Sequence, residues 1–208
     1  INIDGGKSQA GSYNGGDINI VGGLSTLGKG GAFKILTGEG ATSSGVLTIG
    51  SANNGATGKS GDIDVKSGET SSDSSGKITI STGTSATGTA GSISVTPGSG
   101  GNSDGAKVTI HAGKTTAENV AGGQIEMVSG DVDKASSTTG LVKISSSESS
   151  VSATGSVTVQ TGIASKNTKA SGALTLESGE STTGSAGSVT LGVGKSKNQP
   201  SKLAINGG

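Results

Sequence analysis

The sequence predicts an all-β chain, a parallel β-solenoid of about 14 rungs, each of roughly 15–17 residues. Three observations predict it. A single octad, G-x-φ-x-φ-x-x-G with φ aliphatic, recurs along the chain, its two φ columns alternate at period two, and the segments between octads are too short for helices.

The octad is seen in GDINIVGG, GAFKILTG, GDIDVKSG, GKITISTG, GSISVTPG, GQIEMVSG, GSVTVQTG, GALTLESG and GSVTLGVG. Its first φ falls at Ile1, Ile18, Phe33, Leu47, Ile63, Ile78, Ile93, Val108, Ile125, Val142, Val157, Leu174, Val189 and Leu203, which numbers fourteen octads in chain order. The second φ lies two residues on, from Ile3 and Ile20 to Leu191 and Ile205. Only 40 of the 208 residues are Ile, Leu, Val, Met or Phe, and 28 of them occupy these two columns, so the pattern is not a product of composition.

Each element of the octad has a physical reading. Side chains two apart on an extended backbone share a face, so the φ residues form one side and the residues between them the other. Gly opens 11 of the 13 octads whose first position is present and closes 12 of 14, which suits corners needing positive φ or a close approach of backbones. Linkers of about seven to nine residues, such as ETSSDSS, TSATGTA and ESTTGSA, are short and helix-poor, which excludes a helical crossover between parallel strands. Most differences in spacing are of two residues and keep inward and outward faces in phase; the 14- and 16-residue spacings fall to the corners. Stacked at ~4.8 Å per rung, fourteen coils make a rod of order 65 Å.

In a stack of one octad per coil, Asp62 lies beside Lys77 and Glu126 beside Lys143, each an opposite-charge pair. These pairs favour that arrangement over its main rival, a coil of two octads and about 31 residues; an antiparallel sandwich is a further alternative. The whole chain, 1–208, reads as one repetitive segment. It begins INIDGG and ends LAINGG at the same phase of the octad, as expected of a piece of a longer repetitive protein.

Composition bounds the function. Gly, Ser and Thr supply 41, 36 and 25 residues, about half of the chain, while aromatics are 1% and apolar residues 28%. A conventional enzyme core has too few large side chains to build it. With no Cys there is no disulfide framework, thiolate metal site or cysteine nucleophile. The 15 cations are all Lys and balance 15 carboxylates, so no electrostatic footprint for nucleic acid is present. No apolar run approaches the ~20 residues of a membrane span, and no membrane insertion is expected of this segment.

Candidate chemistry is sparse. His111, the only His, follows a φ residue and has no second His, Cys or carboxylate cluster near it in sequence; it reads as a solvated side chain. Asp62 and Asp64 share a face, and Asp131 and Asp133 lie just past an octad, but calcium needs six to eight ligands and the G-G-x-G-x-D nonapeptide does not recur. The run PGSGG after Thr96 lacks the Lys-Ser/Thr and helix of a phosphate loop. No G-x-S-x-G elbow has His and Asp partners. Thr48, Thr79, Thr109, Thr158, Thr175 and Thr190 stand between φ residues like the ladder of an ice-binding face, interrupted by Lys34, Asp64, Glu126 and Lys143. No N-glycosylation sequon exists, and Ser and Thr offer hydroxyls to O-linked sugars. No catalytic residue, metal ligand or cofactor is expected.

The recurring octad with Ser/Thr/Gly spacers resembles the glycine-rich β-solenoid repeats of extracellular filaments, adhesin stalks and viral or phage fibres, across essentially all 208 residues. The resemblance implies a non-enzymatic structural segment, extracellular or on a cell or virion surface, a stiff rod whose partners are copies of itself. Surface glycans are the alternative partner, by analogy with fibres and adhesins, and ice is a further alternative.

Overall fold

The computed structural model describes residues 1–9, 13–53, 58–101, 104–134, 136–165, 169–197 and 201–207. Among them there is no helix and no β-strand; the chain is coil interrupted by bends and turns. This overturns the all-β, parallel β-solenoid expected from the octads: no sheet, ladder or rung is present among the described residues. Period-two alternation states which side chains share a side of an extended segment, and does not supply a neighbour for its backbone to pair with.

The energetics account for the difference. Each repeat contributes two large aliphatic side chains, about 3–6 kcal/mol if fully buried. Ordering a repeat of some fifteen residues costs about 15–30 kcal/mol of backbone entropy. A lone copy has no further apolar layer to close that gap. Its accessible surface is 20949 Å². A folded monomer of 19.6 kDa would expose about 8,600 Å² and a fully extended chain about 28,000 Å². No described residue is buried, hydrophobic or polar.

The chain divides into two units, Ile1–Thr96 and Pro97–Gly208, each considered by itself. The division falls inside octad 7, where Pro97 has no amide hydrogen to donate. What local order there is resides in the linkers, and it follows linker length.

Of the four nine-residue linkers, three are closed by a backbone hydrogen bond from the Gly that opens the next octad to the carbonyl of the Gly that closes the last. Gly16 donates to Gly6 (3.2 Å) in the first unit; Gly123 donates to Gly113 and Gly140 to Gly130 (2.9 Å each) in the second. The fourth, 163–171, includes residues outside those described. The six-residue linker 39–44 closes in the same way, Gly45 donating to Gly38 (3.1 Å). In the second unit both of the closed nine-residue linkers turn through a left-handed residue at their sixth position, Asn119 at φ 59° and Ser136 at φ 67°. Asn suits that conformation and Ser tolerates it less well.

Seven-residue linkers close differently. The hydroxyl of their second residue accepts the amide of their fifth: Ser25 from Gly28, Thr70 from Asp73, Ser85 from Gly88, Ser149 from Ser152 and Ser181 from Gly184, at 2.9–3.3 Å. A Ser or Thr oxygen three residues ahead of an otherwise free amide is the local bond that lets these residues compete with regular structure. The remaining seven-residue linker has Gly100 at its second position and so lacks the hydroxyl. The 24–30 linker carries both devices, since Gly31 also donates to Gly23 (2.8 Å).

Some of the glycines that open octads serve close approach, whereas the described glycines that close them have open space where a Cβ would stand. A Cβ on Gly16 would run into the carbonyl of Gly5, and one on Gly31 would lie 2.9 Å from the Gly23 nitrogen. Among the described octad-closing glycines only Gly6, at φ 86°, is left-handed. Replacing Gly31 by Ala is expected to open its linker, seen as loss of exchange protection at the residue 31 amide. Ser85→Ala should speed exchange of the Gly88 amide by roughly threefold to tenfold, as loss of a net ~0.5–1.5 kcal/mol hydrogen bond requires. Unchanged exchange in either variant would show the linkers to be open in solution.

Candidate functional site: exposed aliphatic columns

The repeat gives the chain one feature of scale, its two columns of aliphatic side chains, and all 28 are exposed. They are exposed unequally. Apart from Ile1, the first column lies between 48% (Ile18) and 56% (Phe33). The second is more open, as Ile80 at 75% shows beside Ile78 at 51%. Outside the columns exposure varies, from Leu24 at 92% to Val132 at 39%. The octad thus partly shelters its first φ residue and presents its second. Most of the chain's large apolar side-chain surface thus stands in water.

The charges around the columns do not pair along the chain. No ion pair joins Asp62 to Lys77 or Glu126 to Lys143, so the cross-rung pairs expected of a stacked coil do not form. This follows from the absence of rungs.

Other candidates do not converge. His111 is exposed, and no group of three or more His, Cys, Asp or Glu side chains comes together among the described residues. Asp62 and Asp64 are exposed in octad 5. The Asp131 carboxylate accepts the amide of Val132 (2.7 Å), a local turn that occupies one of its oxygens. The Asp4 carboxylate does the same for the amide of Gly6 (2.8 Å). Around Gly98 and Gly101 the backbone is open, with no described atom within 4 Å of where a Cβ would stand, and among the described residues no helix follows to aim amides at a phosphate. The six Thr residues between φ positions are exposed, and with no strand among the described residues nothing fixes their spacing in a plane. A shallow hollow of about 410 Å³ is lined by Thr161, Gly162, Ile163, Ala164, Lys169 and Ser171. Among the described residues Lys169 is its one charged group, and no described carboxylate or imidazole lines it. No helix among the described residues is long and apolar enough to cross a membrane.

Sequence reasoning did not anticipate the linker hydroxyls. Their signal was present: a Ser or Thr two residues after the octad, followed three residues later by a Gly or small polar residue, as in Ser25-Thr-Leu-Gly28 and Ser181-Thr-Thr-Gly184. No protein-family model, curated protein or solved structure matches this chain.

Proposed function

We propose that this chain is a non-enzymatic structural segment of an extracellular or surface filament, and that it works by associating with copies of itself. The observation that carries the reading is the exposure of all 28 column residues in a chain with no buried core among its described residues. Such columns gain about 25 cal/mol for each Å² of apolar surface they remove from water. A second copy offers the same columns at the same spacing, and a net charge of zero leaves no overall repulsion to oppose their meeting. The resemblance of the octads to filament and fibre repeats supports the extracellular setting. Glycan binding has less support, because Tyr13 and Phe33 are the only aromatic side chains available for stacking on a sugar.

Sedimentation over a wide range of concentration, followed by electron microscopy, tests the reading. The expected result is a concentration-dependent shift from monomer to large species, with filaments or bundles in the micrographs. A chain that remains monomeric at the highest attainable concentration overturns it. Because the association is apolar, sulfate is expected to lower the concentration at which it begins, and urea to raise it. Sodium chloride should move it much less. A strong weakening by sodium chloride alone would point instead to association through charge.

A further inference from the structure

The charges that flank the columns select an alignment for the copies. This step rests on the self-association proposed above and adds the direction and register in which two chains meet.

Twelve charged residues stand immediately before, between or immediately after the φ residues of the octads. If two copies lay side by side in the same direction and in register, every one of the twelve would face its own counterpart, like charge against like. Juxtaposed like charges are among the costliest arrangements an interface can adopt. The other alignment that uses every octad runs the copies in opposite directions, with octad 1 on octad 14, octad 5 on octad 10, and so on. There the residue between the φ positions faces its equivalent, and the residue before the first φ faces the residue after the second.

In that alignment Asp64 of octad 5 meets Lys143 of octad 10, and Asp4 of octad 1 meets Lys202 of octad 14. The two-fold symmetry of the pair repeats each contact, giving four opposite-charge contacts. The other charged positions meet neutral residues: Lys34 faces Thr175, Asp62 faces Ser145, Lys77 faces Val128 and Glu126 faces Thr79. No like charges meet. Sliding the opposed copies by one octad in one direction brings Asp64 onto Glu126 and Asp17 onto Glu177; sliding them in the other removes the opposite-charge contacts. The register that overlaps all fourteen octads is therefore also the one that satisfies the charges. Asp4, Asp64, Lys143 and Lys202 are all exposed, and the self-closed linkers can take up the unequal spacings of the facing repeats.

We propose that two copies of this chain pair along their length in opposite directions, octad 5 of each on octad 10 of the other, held in register by Asp64 with Lys143 and Asp4 with Lys202.

The test mixes chains carrying ordinary and heavy nitrogen, lets them associate, joins adjacent carboxylates and amines with a zero-length carbodiimide, and reads the links by mass spectrometry. Links from Asp64 to Lys143 and from Asp4 to Lys202 that join a light chain to a heavy one are expected. Links from Asp62 to Lys77 and from Glu126 to Lys143 between chains would show a parallel arrangement staggered by one repeat and overturn the proposal. So would links confined to single chains in an associated sample. Lys143→Asp is expected to weaken association about tenfold, as reversal of exposed ion pairs allows, and Asp64→Lys combined with Lys143→Asp to restore it. Asp62→Lys should change little, and a double variant as weak as the single one would also overturn the pairing. Association with other links defeats this register alone, whereas a chain that never associates defeats the self-association reading as well.

Discussion

A chain carrying Ile63→Asp, Ile78→Asp and Ile93→Asp together is expected to remain monomeric where the unaltered chain assembles. These three residues are the first φ of consecutive octads and are about half covered in the single chain, 51–54% exposed. Association can remove the remaining half of each from water, about 1 kcal/mol per side chain. Across two copies the loss is about 6 kcal/mol, or roughly four orders of magnitude in the association constant. The new carboxylates add repulsion to that loss. Sedimentation at matched concentrations measures the effect. The control is Thr109→Asp, Thr158→Asp and Thr190→Asp, which adds the same charge beside the columns, opposite neutral residues, without removing an aliphatic side chain. It should weaken association far less. Equal loss in both variants would mean that charge, not burial of the columns, governs assembly.

The second large effect is resistance to proteolysis. The 15 Lys residues are distributed through a chain with no buried residue among those described, so a dilute sample offers trypsin nearly every one of its sites. Cleavage requires the unassembled form, and protection is expected to grow with concentration above the dissociation constant. For paired copies at a total concentration a hundred times that constant, mass action leaves about 7% of the chain unassembled, and the cleavage rate should fall about fifteenfold. The measurement is the rate of disappearance of intact chain across a dilution series. A rate independent of concentration would show that assembly, if it occurs, leaves the backbone as accessible as before.

The periodic placement of aliphatic residues was legible in the sequence, and the structure keeps its trace: Ile78 and Ile80 differ in exposure in the same sense as their counterparts in the octads on either side. The step from that placement to a stacked coil was not legible. Alternation in GKITISTG states which residues share a side, but the partner that would cover the side is a property of the surroundings, and two aliphatic residues per repeat do not outweigh the ordering of the thirteen or so that accompany them. The pairing of Asp62 with Lys77 depended on that step and fell with it. The linker bonds were recoverable in principle. Ser85 and Gly88 occupy the same places in their linker as Ser181 and Gly184 do in theirs, and a comparison of linkers by length, in place of octads by pattern, would have found them.

Most of the linkers close on themselves, by a backbone bond between glycines, by a hydroxyl reaching three residues on, or in 24–30 by both. Each such excursion is completed within its own residues and the glycines that bound it, and draws nothing from the aliphatic positions it joins. Such a chain is insulated against changes in length. Two residues gained or lost between octads exchange one form of closure for the other and leave the aliphatic columns as they were. A gene encoding this protein can therefore drift, duplicate and recombine between repeats with little penalty, and variation should collect in the spacers while the octads stay fixed.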